Sequence, residues 1–385
     1  MLYAHAIYHS KAMLRGTEAD GSLSMEQKIY LQKLRDVAKS SSLGAVTRSL
    51  AYHDLPAYFA PVWGIGKDRG SALEDQWAAN AERASSLLDG GWRFGGDENL
   101  GVVTLAQWGR QARAGEMPAV LFTSGTEESG RPMIYGSSRV ADWNWNAIRG
   151  INDAGCSCLV RNHTVRVVTG ARLSASFPIV SPAARPSANP DYLYRVEHQL
   201  DGGYYDNYGM VALNRWLQDG LDKLHTGNEL PKNLKKILVI QIRYKNEPSK
   251  DEVKAGGFFY QATAPLTALY NARVAGQRLR VDEQFDIFCN YWKARGVEIS
   301  NAVFEFDGRK LGTPLSWHLT ARQREDMSDY GSCIIREFED YQKGLAGLEN
   351  VDPSEKKLKL ESLKAQYPLG ANAYLVKDFI HPDKP

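Results

Sequence analysis

The chain has little cysteine, no excess of charge of one sign and no long hydrophobic run. Only four cysteines stand among 385 residues, at 156, 158, 289 and 333, which is no disulfide scaffold and makes a reducing compartment the default. Cys156 and Cys158 are one residue apart, the wrong spacing for a C-x-x-C pair, and no second pair exists, so no metal is expected there. Lys plus Arg number 47 against 45 Asp plus Glu, a net charge of +2, too weak a field to make nucleic acid the main partner. The densest apolar run, Ile237 to Ile242, is strand-length and already contains Gln241, whereas a spanning helix needs roughly 18 apolar residues. Met1 to Leu14 has no basic leading region, and His5, His9, Ser10 and Lys11 interrupt its apolar residues; it reads as a helix, not a secretory signal. What is present, 43% hydrophobic and 10% aromatic residues, is enough to build a sizeable core in one or two domains.

Apolar periodicity predicts helices over about 2–15, 25–38, 72–88, 104–114, 209–224, 264–278 and 280–295. Thr104 is the start signal of one, and Ser71 with Glu74 three residues on has capping-box spacing. Pro118 to Thr123, Thr164 to Thr169, Lys236 to Arg243 and Ala302 to Phe306 read as strands covered on both faces. This alternation predicts an α/β protein with a largely parallel sheet. Ser181 to Asn189 is a loop. After Gly344 the composition changes: Asp352 and Pro353 open a Lys-rich helix around Leu360, Leu363 and Tyr367, and packing onto the body is expected ahead of a membrane-surface role. The division expected is therefore 1–343 for the main domain and 344–385 for a helical extension.

The sharpest local signal is Asp201-Gly202-Gly203-Tyr204-Tyr205-Asp206-Asn207. Two glycines let the backbone turn tightly and leave the acid uncovered for a substrate or hydroxyl partner. The other reading is an Asx-type turn in which Asp201 only caps backbone donors. Asp206 and Asn207 are candidates to cap the next helix. Upstream, Leu173-Ser174-Ala175-Ser176-Phe177-Pro178 is a small-residue segment ended by proline, and Thr126 to Arg131 reads as a turn between short strands. Ser124 and Ser129 are expected to sit in a turn with structural roles, and His198 is expected to be a surface or turn residue. Gly64 to Gly70 does not follow a credible strand and is treated as a loop, not a phosphate cradle.

Together these segments resemble the patatin-like phospholipase family, in its large bacterial branch. The resemblance rests on Phe122 to Arg131, on Ser174-Ala175-Ser176-Phe177-Pro178 and on Asp201-Gly202-Gly203, in that order and spacing, with support from Ile237 to Arg243 and the segment opening at Ala264-Pro265-Leu266. It spans roughly residues 40–325. It implies a three-layer α/β fold and acyl transfer without a cofactor. In that chemistry a serine on a G-x-S-x-G elbow attacks a lipid or phospholipid ester and an aspartate, here Asp201, takes its proton. By the same resemblance Gly202 and Gly203 shape the turn around the base, and Ser174, Ser176, Phe177 and Pro178 support the site. Peripheral membrane contact is open to the family, and the cytoplasm is the expected compartment.

The sequence departs from the pattern at two points, one being that no Gly-rich oxyanion loop precedes a helix. It contains no G-x-S-x-G: Gly155-Cys156-Ser157-Cys158 lacks the last glycine, and Gly21-Ser22-Leu23-Ser24 has the wrong spacing. The uncapped apolar start at Met1 suggests a chain that opens just beyond the elbow, with the first strand, oxyanion loop and serine upstream. The expectation is thus a hydrolase domain that keeps the aspartate alone and is inactive by itself. Its rival is a non-catalytic lipid-binding or scaffolding module.

Overall fold

The computed structural model describes residues 23–38, 40–59, 68–87, 93–94, 98–99, 101–128, 130, 132–138, 165–176, 183–184, 198–244, 258–306, 320–349 and 351–380. The predicted N-terminal helix, Gly64 to Lys67, Ser129, Cys156 and Cys158 lie outside them, as do Phe177 and Pro178. Among the described residues the protein is a mixed α/β structure, mostly helical with small sheets, and it divides into two units, 1–222 and 223–385.

The first unit opens with α1 (Met25–Ala38), α2 (Leu43–Ser49), a short π-helical stretch (Leu50–Asp54), α3 (Leu55–Phe59) and α4 (Arg69–Leu87). Ser24 starts α1 with a reciprocal cap: Gln27 N–H donates to its hydroxyl, and the Gln27 side chain accepts from the Ser24 N–H. The capping box expected at Ser71 does not form. Ser71 N–H donates to Asp68 at 2.7 Å, and Glu74 turns inward instead, accepting from Arg166 Nη2 and Thr169 Oγ1 at 2.7 Å each and from Arg172 Nε at 2.5 Å. A buried carboxylate is stable only if paired, and two guanidinium groups meet that need here.

Two residue pairs form the small ribbon β1 (Arg93–Phe94) and β2 (Glu98–Asn99), and α5 (Leu105–Arg113) follows, starting at Thr104 as expected, where Gln107 completes a capping box. The sheet that carries the site comes next: β3 (Leu121–Thr126) at the centre, β4 (Pro132–Gly136) on one side and β5 (Gln199–Asp201) on the other, both antiparallel to it. The largely parallel arrangement read from the sequence does not describe this sheet. The run Thr164 to Thr169, expected as a strand, instead leads into α6 (Val167–Ser174); only Arg166 keeps a bridge, to Thr104. A short apolar run carries no period long enough to separate a strand from a buried helical turn, and here Val167 and Leu173 face a core built with Leu34, Val103, Leu105, Trp108 and Tyr135. Trp108 satisfies its indole N–H on the Pro118 carbonyl at 2.8 Å. The unit continues through α7 (Gly203–Asp206) and α8 (Met210–Thr226), whose last turn crosses the boundary.

The second unit holds the parallel pair, β6 (Lys236–Tyr244) with β7 (Glu298–Phe306), in register from Lys236↔Glu298 to Tyr244↔Phe306. They are joined by α9 (Phe258–Lys293), one continuous helix where the sequence suggested two. Its buried Val281, Phe285, Phe288 and Trp292 form a stripe of helical spacing, and Gly276 stands in it without ending it. The expectation that β6 is covered on both faces fails: Val239 and Gln241 are buried, whereas Ile240 is 51% and Ile242 74% exposed. After α10 (Ala321–Ala346), Asp352 caps α11 (Pro353–Gln366) through Ser354 N–H, with Pro353 at its first turn as predicted. A further helix, α12 (Pro368–Ile380), packs on α10, with Leu369 N–H donating to Glu337 and the Asn372 amide to the Val303 carbonyl. No helix among the described residues is long and apolar enough to cross a membrane.

Candidate functional site

The antiparallel ladder places Asp201 opposite Ser124, at the end of a three-residue strand where the chain turns into α7. That turn is tight. Gly202 N–H donates to the Ser174 carbonyl at 3.2 Å, Tyr205 and Asp206 N–H both return to the Gly202 carbonyl, and Gly203 N–H donates to Asp201 Oδ1 at 2.6 Å. One carboxylate oxygen is therefore held by its own turn, as the capping reading required. Asp201 nevertheless also lines a cavity of about 490 Å³. Desolvation raises its pKa above the ordinary 3.8, and the Gly203 N–H works against that rise.

Thr123, Ser174, Asp206 and Asn207 supply further polar lining, and Ala119, Leu121, Leu213 and Trp216 the apolar wall. Trp216 is itself positioned, its indole N–H donating to Ser138 Oγ at 2.9 Å. Asp206 does what the sequence indicated: Oδ2 accepts from Ala212 N–H at 3.0 Å and so caps α8. Gly209, at φ +67°, makes the left-handed turn between them. Burial raises the Asp206 pKa, and backbone donors from Ala212, Val211, Met210 and Tyr208 oppose the rise.

The two serines expected to support the site separate in role. Ser174, the last residue of α6, reaches the cavity beside Asp201. Ser176 is buried and donates to the Arg172 carbonyl at 2.8 Å, closing the helix end. Ser124 is not in a turn; it lies in β3, fully buried, and donates to Gln199 Oε1 at 2.7 Å. Antiparallel pairing on both sides of β3 carries the strand three residues past its expected end and takes Ser124 into the core. Thr123 and Trp216 were not singled out in the sequence. Thr123 was legible only as the polar end of an apolar run, and Trp216 as one residue of an amphipathic helix.

His198 sits just before β5 and is not among the residues that line this cavity. Its ring Nδ1 lies 2.5 Å from Glu128 Oε1, and this bond holds the Glu128 pKa below the usual 4.5. Comparison of the chain with protein-family models, curated proteins and solved structures gave no match.

Proposed function

We propose that this chain supplies the base of a Ser–Asp acyl hydrolase acting on lipid or phospholipid esters, within a three-layer α/β domain of the patatin-like type. The observation that carries the proposal is Asp201 itself: a strand-end carboxylate, oriented by its own Gly-Gly turn, that lines a cavity with one apolar wall. In this scheme Asp201 accepts the proton of a serine hydroxyl as the oxygen attacks the ester carbonyl, then returns it to the departing alkoxide. Water repeats the cycle on the acyl-enzyme. Desolvation strengthens the carboxylate as a base, and the Gly203 N–H fixes the oxygen that does not take the proton. Ala119, Leu121, Leu213 and Trp216 suit a hydrocarbon tail. The serine is that of a G-x-S-x-G elbow, which residues 1–385 do not contain.

That missing elbow favours a second reading, a module that binds acyl lipid without cleaving it. Purified chain, offered nitrophenyl esters for turnover and a fluorescent phospholipid for binding, tests both. Binding without turnover is expected. Turnover that Asp201→Ala leaves intact refutes Asp201 as the base, and failure to bind any acyl lipid refutes both readings.

A further inference from the structure

At the other end of the strand that carries Asp201, a second group of side chains converges. Glu127 and Glu128 follow β3, and His198 precedes β5. The β3–β5 ladder ends on Thr126↔Gln199, and one more backbone bond, Glu127 N–H to the His198 carbonyl at 2.9 Å, extends it to these residues. His198 N–H also donates to Glu128 Oε2 at 2.8 Å. The main chain thus fixes where all three side chains start.

We propose that Glu127, Glu128 and His198 form a binding site for one divalent first-row metal ion, with Zn²⁺ the natural probe. Their ligand atoms lie within 4.8 Å of one another, Nδ1 standing 2.5 Å from Glu128 Oε1 and 3.7 Å from Glu127 Oε2. Metal–ligand bonds of about 2.0–2.2 Å put tetrahedral neighbours about 3.4 Å apart, so a small opening of the His198–Glu128 contact admits an ion. The carboxylates are exposed and the ring only partly so, which leaves the side chains room to make that adjustment and water access to the remaining positions. One imidazole and two carboxylates form a nitrogen–oxygen donor set suited to such ions. Two negative charges face a ring that carries at most one positive charge, so the cluster gains by taking up a cation. Coordination uses the Nδ1 lone pair, and the ring proton then sits on Nε2. The ion would clamp the ends of β3 and β5, three residues from Asp201, and takes no part in chemistry there.

Calorimetric titration of the metal-free 385-residue chain with Zn²⁺, and the visible spectrum of the Co²⁺ form, test the proposal. One ion per chain at micromolar concentration is expected, with a rise in melting temperature. His198→Gln and Glu127→Gln should each weaken binding about tenfold or more and remove that rise. Glu127→Gln keeps every backbone bond described above, so it reports even if the histidine variant folds poorly. Equal Zn²⁺ affinity in a folded variant, or no ion held by the wild-type chain at micromolar concentration, overturns the proposal.

Discussion

Gly202 is the most confined residue of the Asp201 turn. Its backbone is ordinary right-handed helical, φ −60° and ψ −28°, so any residue could adopt it and the constraint is purely steric. A methyl group added there would lie 2.6 Å from Thr123 Oγ1 and 2.8 Å from the Thr123 carbonyl carbon, and closer still to the carbonyl oxygen. Normal carbon contacts begin near 3.5 Å, so the turn would have to retreat from β3 by about 0.7 Å or more. The backbone of the central strand cannot give way as a side chain does. Overpacking of this kind costs about 1–3 kcal/mol. Stretching the Gly202 N–H bond to the Ser174 carbonyl, already 3.2 Å, adds about 1 kcal/mol. Gly202→Ala should therefore lose about 2–4 kcal/mol in urea denaturation followed by tryptophan fluorescence. Gly203→Ala is the control. Its methyl would meet only Asn207 Oδ1 and Asp201 Oδ1, at 2.8 Å each, and both are side-chain ends that can swing away. That variant should lose less than about 1 kcal/mol while displacing the Asp201 carboxylate. A Gly202→Ala protein within about 0.5 kcal/mol of wild type, or less destabilised than Gly203→Ala, would refute the steric argument.

Other changes test the surrounding structure. Glu74→Ala removes the partner of Arg166 and of the buried Arg172, and should destabilise the chain by about 3–5 kcal/mol, measured by the same denaturation. Thr104→Ala deletes the side-chain acceptor of the α5 cap and should cost only about 1 kcal/mol. Asp201 titrates above its ordinary 3.8 in the folded chain, so from 3.8 up through that raised pKa the folded state binds more protons than the unfolded one. Stability should then fall as pH rises through that window and stay lower above it. Asp201→Asn removes the buried charge, so it should raise the melting temperature at pH 7, with the gain vanishing below pH 3.8; an unchanged melting temperature at pH 7 would contradict this.

Start and stop chemistry was the most legible part of the fold. Thr104 and Asp352 cap the helices their sequence context indicated, because a cap is a contact over two or three residues and needs no knowledge of the rest. Asp206 follows the same rule. Glu74 had the right spacing for a cap, but its carboxylate was drawn to Arg166 and Arg172, which lie 92 and 98 residues away in the chain. No local pattern reveals a partner at that distance. Val167 and Val168 favour strands by type, yet the core they fill is met by a helical turn. The turn around Asp201 could be read from its paired glycines, whereas the cavity could not: Thr123 comes from β3, Ser174 from α6 and Trp216 from α8, and only tertiary pairing brings them to one cavity.

The central claim is that the Asp201 carboxylate serves as a proton acceptor. It is tested most directly by measuring kcat/KM for an acyl ester with the natural protein that carries these residues, in wild type and in Asp201→Asn. Hydrolysis by the wild type is expected, with a fall of about 10²–10⁴-fold in a variant that remains folded. Turnover within about tenfold of wild type would contradict it.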